Sequence, residues 1–168
     1  MFKPWLQADA ADFEVIWELF LANRDIFPHV RSDKIKLLIQ EGRVRLRPSP
    51  KGLTVVTYHI AKRNQRLGRV TEHLFDGKPI MVPRGSCVLH QIVTENQGEG
   101  VGSRALQEFM ASMGNDTFLN VREDNSKAIA AYQKVGMCLI GSISWADGKV
   151  RGSVYQYKSD RTEYKSTF

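Results

Sequence analysis

The sequence predicts one α+β domain with a mixed, mostly antiparallel sheet. Three observations carry that expectation. Apolar periodicity runs helix, helix, four strands, helix, strand, helix, two strands. The strands of the first run are separated by short, turn-rich stretches, which favours antiparallel neighbours. Between 87 and 113, a strand pattern ends in a glycine-rich turn that opens directly into a helical pattern.

Each element has its own signal. Phe13, Ile16, Trp17, Phe20 and Leu21 recur at helical spacing between Asp9 and Ile26, and Pro28 stops the pattern. A second helix is expected from Ser32, read as its cap, through Ile35, Leu38 and Ile39 to Gly42. Alternating or β-branched runs at 44–47, 53–61, 69–75 and 87–93 read as strands, with turns at 76–79 and 83–85. Leu106, Phe109, Met110 and Met113 mark a helix over 103–113, closed by Gly114. A strand at 117–121 and a helix over 126–135, ended by Gly136, come next. Cys138–Trp145 and 150–158 then form a hairpin through Asp147-Gly148. The expected domain spans 1–158, and 159–168 is a polar tail.

Composition narrows the class. The 168 residues, 42% hydrophobic and 25% charged, suit one soluble domain with its own core. No apolar run approaches the roughly 20 residues of a membrane span, and 1–5 lack a signal-peptide core, so a cytoplasmic protein is expected. Cys87 and Cys138 sit in apolar strand patterns and read as buried thiols rather than a disulfide; two cysteines alone make no metal site. The formal charge of +6 is compatible with an anionic partner, whether phosphorylated cofactor or nucleic acid, and equally with simple solubility.

The glycine-rich turn carries the chemistry. Gly98, Gly100 and Gly102 alternate with Glu99 and Val101 ahead of Ser103. Glycines allow main-chain amides to approach and converge on a ligand, and a helix start adds unpaired N–H groups and the positive dipole end. Together these suit a phosphate group. A nucleotide-triphosphatase loop requires Lys and then Ser or Thr after its last glycine, but Ser103-Arg104 follow Gly102. The segment 100–105 matches the dinucleotide pattern Gly-x-Gly-x-x-Ala, with Glu123 downstream, but 45 residues after Glu123 are too few for the second half of such a sheet.

A third pattern uses more of the residues. Gln97-Gly98-Glu99-Gly100-Val101-Gly102 resembles the Gln/Arg-x-x-Gly-x-Gly/Ala loop of the GNAT acetyltransferase superfamily. The stretch 120–137, with Asn125, Ala128-Ile129, Tyr132 and Gly136-Met137, resembles the second signature of that superfamily, Met137 standing where Phe is usual. The resemblance implies a GNAT-like sheet with a splayed parallel strand pair at the cofactor, formed by 87–93 and 117–121, and helices on both faces. It implies acetyl-CoA as cofactor and CoA as product. The main chain of Gln91 and Ile92 would meet the pantetheine arm, with an N–H near Ile92 facing the thioester oxygen. Gln97 and the amides of Gly98, Glu99, Gly100, Val101, Gly102 and Ser103 would hold the diphosphate, and Asn125 would touch the cofactor. Asn125 is also a natural helix cap, and Tyr132 a natural packing residue with its hydroxyl at the rim.

The implied reaction is direct attack of an acceptor amine on the thioester. Tyr132 occupies the general-acid position of the family. A lysine-like amine is neutral about once in 2,500 molecules at pH 7, a deficit of about 4.6 kcal/mol that a base or the site must offset. The branch of the family that acetylates protein N-termini has Glu where Asn120 stands, and asparagine cannot accept a proton. His90 is the expected substitute, directly or through water, ahead of Glu72 and Glu95. The acceptor is an amine-bearing small molecule, peptide or modified nucleobase. Basic residues in 24–47 and 62–69 leave room for an anionic partner, and a homodimer fits the resemblance. A non-catalytic CoA- or nucleic-acid-binding module on this fold is the alternative.

Overall fold

The computed structural model describes residues 5–67, 80–98, 100–145 and 148–159. The expected strand at 69–75, the turn at 76–79, Glu72, Glu99, Asp147 and all but the first residue of the tail lie outside them. The strands are β1 (Leu6–Gln7), β2 (Val44–Ser49), β3 (Gly52–Ile60), β4 (Gln65–Arg66), β5 (Met81–Val82), β6 (Cys87–Thr94), β7 (Thr117–Arg122), β8 (Cys138–Trp145) and β9 (Val150–Tyr157). The helices are α1 (Phe13–Ala22), α2 (Ser32–Gln40), α3 (Val101–Met113) and α4 (Ser126–Lys134), with a 3-10 turn at Ala10–Asp12. One mixed sheet has the order β1-β2-β3-β6-β7-β9-β8, and β4 pairs with β5 apart from it.

The parallel pair is β6–β7. Its register consists of Cys87↔Thr117 and Val88↔Phe118, although β6 runs on to Thr94 and β7 to Arg122. The ladders β1–β2, β2–β3, β4–β5, β7–β9 and β8–β9 are antiparallel, with a bulge between Leu139 and Gly141. A mixed sheet with a short parallel pair is the predicted architecture.

Contacts divide the chain into two compact units, Met1–His59 with Leu89–Ala105, and Ile60–Val88 with Leu106–Phe168. The core of the first comes from helical spacing meeting strand alternation. Ile16, Leu19 and Phe20 of α1 and Ile35, Leu38 and Ile39 of α2 cover Val44, Leu46, Val55 and Val93. In the second unit Ala61, Leu67, Val82, Val88, Phe118, Ile143 and Val154 form the cluster.

Several expectations need correction. The first helix ends at Ala22, not near Ile26, where Asn23 leaves helical geometry. Its inner face takes Leu19, while Leu21 is exposed. Ser32 is the first helical residue of α2 rather than its cap; extended Arg31 precedes it and pairs with Asp33 in the first turn. Helix α3 begins at Val101, so Val101 and Gly102 belong to it. Cys87 is buried but Cys138 is exposed, and neither is in a disulfide. Short strands β1 and β5 carry too few residues for a periodic signal. Among the described residues no helix is long and apolar enough to cross a membrane.

Candidate active site

In the first unit, β6 runs into the glycine loop, and three successive side chains fix that turn. The Glu95 carboxylate accepts from the Leu53 amide at 2.5 Å, while the Glu95 amide donates to the Leu53 carbonyl at 2.9 Å. Asn96 donates to the Lys51 carbonyl. Gln97 donates to the Asn23 side-chain oxygen, and buried Asn23 in turn donates to the Leu19 carbonyl at 2.9 Å. Gly52 lies beneath Glu95: a Cβ there would come within 2.4 Å of its carboxylate, so glycine is required on steric grounds. Glu95 and Gln97 thus act on the protein's own loop.

Beyond Gln97 the main chain turns left-handed twice, at Gly98 (φ 91°) and Gly100 (φ 71°), with nothing within 4 Å of where a Cβ would stand. Alternating left-handed residues beside a helix start gather N–H groups on one side, the geometry that suits an anion. Gly102 differs from the other two. It lacks a positive φ, and a Cβ would meet only the Thr94 methyl at an ordinary 3.6 Å. Beside Gly100 and Val101 opens a cleft of about 250 Å³ that also takes in Arg47, Lys51, Thr54 and Arg104. Three cationic side chains by a helix N-terminus make it electropositive.

Other basic residues singled out in the sequence are engaged locally. Arg43 pairs with Glu41 at 2.8 Å, Arg45 donates to the Tyr58 hydroxyl at 3.0 Å, and Arg24 donates to the Val30 carbonyl.

On β6, the Gln91 amide donates to Thr57 Oγ1 at 3.1 Å, and that hydroxyl donates to the Gln91 side chain. His90 does not stand alone, as the sequence suggested. Its Nε2 lies 2.7 Å from Nδ1 of His59 on β3, the rings stacked with centroids 4.9 Å apart. Arg43 Nη2 approaches the same Nε2 at 3.4 Å. Part of His90 still faces solvent, yet desolvation, with His59, Arg43 and Lys34 adding to it, lowers its pKa to about 4. Desolvation and Arg43 lower His59 as well. Both imidazoles are therefore neutral at pH 7. His59 was missed because its pairing with His90 spans 31 residues, beyond any local pattern.

The second unit holds Asn125 and Tyr132. Asn125 Oδ1 accepts from the Ala128 amide at 3.2 Å and caps α4. Gly136 (φ 89°) ends that helix, and the Met137 amide returns to the Tyr132 carbonyl at 3.1 Å, which fixes the main chain at Tyr132. The Tyr132 ring lies 6.4 Å from that of buried Tyr155. Desolvation pushes its phenol up to about 12. Asn125→Ala should cost about 1 kcal/mol in denaturant unfolding, whereas Asn125→Asp, which keeps a capping oxygen, should unfold near the parent.

The chain matches no protein-family model, and no curated protein is significantly similar in sequence. Solved structures do match. An acetyltransferase of the GNAT family from Streptococcus agalactiae superposes with a TM-score of 0.74 at 17% identity, over 96% of this chain and 99% of that one. The ribosomal-protein-S18-alanine N-acetyltransferase from Escherichia coli gives 0.62 at 12% identity, over 98% and 99%. Arabidopsis thaliana NAA60 in complex with acetyl-CoA gives 0.60 at 15%, over 92% and 97%. The predicted fold is confirmed: this chain has the fold of the GNAT-family acetyltransferases.

Proposed function

We propose that the protein is an acetyl-CoA-dependent N-acetyltransferase acting on a primary amine. The observation that carries the reading is the left-handed pair Gly98 and Gly100, open where side chains would stand, at the start of α3. The site fits the cofactor in kind. The amides of Gly98 and of 100–103 would hold a diphosphate, and Arg47, Lys51 and Arg104 add positive charge beside Gly100. Since the Gln91 amide is directed to Thr57, the donor to the thioester oxygen is the Ile92 amide.

When bound, acetyl-CoA supplies an activated acetyl group. The remaining roles belong to the chain. Tyr132 donates a hydrogen bond to the departing sulfur. With its pKa pushed up to about 12, full proton transfer to a thiolate of pKa about 8.5 is uphill by roughly 5 kcal/mol, so donation without complete transfer is the role its environment supports. The histidine cluster at His90 receives a proton from the attacking amine. Asn125 holds α4 by capping its first turn. The acceptor is an amine on a small molecule, peptide or modified nucleobase, and the site acts in the cytoplasm.

Calorimetry with acetyl-CoA, followed by a thiol-release screen over N-terminal peptides, lysine peptides, polyamines and amine-bearing nucleosides, tests the reading. Binding together with thiol release on at least one amine is expected. Binding without turnover would point to the non-catalytic CoA module, and absence of binding would overturn both.

A further inference from the structure

The connection between α1 and α2 is organised around one buried polar side chain. Asn23 is 7% exposed, although its neighbours Ala22, Arg24, Asp25 and Ile26 all face solvent. Its main-chain amide donates to the Phe20 carbonyl at 3.1 Å, and its carbonyl accepts from the amides of Ile26 and Phe27, both at 3.0 Å. Its side chain works in two directions. Nδ2 donates to the Leu19 carbonyl at 2.9 Å, and Oδ1 accepts from Gln97 Nε2. A carbonyl can only accept, so Leu19 sets which way the Asn23 amide points, and Asn23 sets that of Gln97. The rest of the connection leans on the same support. The Phe27 ring meets Phe20 edge-on with centroids 5.5 Å apart, and Arg24 donates to the Val30 carbonyl.

Gln97 immediately precedes left-handed Gly98. We infer that Asn23 is a positioning residue that couples cofactor occupancy of the glycine turn to the order of the connection at 23–30. The inference rests on the acetyl-CoA reading above. When the amides of the turn close on a diphosphate, the main chain at 97 and 98 loses freedom, and the Gln97 side chain is held against Asn23. The Asn23–Gln97 hydrogen bond, made or broken, is the two-state element. While it is made, the Asn23 carbonyl stays in place for the amides of Ile26 and Phe27. Linkage makes the effect reciprocal: whatever holds the connection in this form raises cofactor affinity by the factor with which the cofactor favours that form. One buried hydrogen bond carries a coupling of about five-fold.

Hydrogen–deuterium exchange on the full chain, with and without acetyl-CoA, tests the coupling. In the parent, saturating acetyl-CoA should slow exchange at the Ile26 and Phe27 amides about five-fold. The Glu41 amide, bonded to the Leu37 carbonyl at the end of α2, should not respond and serves as the internal control. Gln97→Met keeps the side-chain length and removes the donor. It should bind acetyl-CoA about five-fold more weakly and lose the cofactor-dependent protection. Asn23→Ala should weaken binding by a similar factor. The double variant should bind no more weakly than the weaker single variant, because both substitutions remove the same contact. Acetyl-CoA binding that leaves exchange at Ile26 and Phe27 unchanged in the parent would overturn the inference while the cofactor reading stands. Protection that survives in Gln97→Met, or additive losses in the double variant, would overturn it too. If the parent bound no acetyl-CoA, the cofactor reading itself would fail and the coupling with it. The comparison in the parent needs no substitution, so it decides the matter even where a variant does not fold.

Discussion

Gly100→Val should reduce acetyl-CoA affinity by about 100-fold or more, equivalent to about 2.7 kcal/mol, with the melting temperature lowered by only several degrees. Gly100 has φ 71° and no atom within 4 Å of a prospective Cβ, so the added side chain meets open space and the penalty comes from the main chain. A left-handed L-residue costs roughly 1–2 kcal/mol, and a β-branched one more. Relaxing that strain rotates the amides at 100–102 away from their common direction, which is where the anion would lie. Gly102→Ala is the matched control: its φ is ordinary and its Cβ contact comfortable, so cofactor affinity should stay within a few-fold. Calorimetry on the two variants separates a left-handed requirement from a general need for small residues. Equal affinity in Gly100→Val and the parent would remove this loop from the cofactor site.

Tyr132→Phe should lower turnover by at least 10-fold, about 1.4 kcal/mol, with acetyl-CoA affinity nearly unchanged. The deletion removes one hydroxyl, and the fixed main chain at the end of α4 leaves the ring in place. The sign of the pKa shift adds a second readout. Desolvation disfavours phenolate, so a group that ordinarily ionises near 10 keeps its proton up to about 12. Donation by Tyr132 is therefore constant from pH 6 to 10, and the ratio of parent to variant rates should be flat across that range. A ratio that falls toward unity as pH rises through 9 to 10 would show that Tyr132 titrates as an ordinary exposed phenol. Unchanged turnover at all pH values would exclude it from the chemistry.

Local chemistry was legible in the sequence wherever a short stretch decides the outcome. Cys138–Trp145 is a strand within the expected bounds, because its alternation and flanking turn signals suffice. Asn125 caps α4 and Gly136 closes it as residue type and spacing imply. The glycine loop was visible too, but the distinct status of Gly102 was not, since composition does not reveal which glycine adopts positive φ. Partnerships across the sheet stayed hidden. The His59–His90 contact spans 31 residues and Thr57–Gln91 spans 34, and no local periodicity encodes which neighbours a strand will have. The basic residues misled in the other direction. Arg43 and Arg45 look like a surface field in composition, but in the fold their guanidinium groups bind Glu41 and Tyr58.

The contact between Gln97 and Asn23 joins positions 74 residues apart. A peptide cut to the strand, glycine turn and following helix would lack Asn23 and would lose the tether that shapes the turn. The residue that closes α1 therefore helps to shape the glycine turn proposed to bind the cofactor. It also follows that this turn can reach its working form only after the first and middle portions of the chain have found each other during folding.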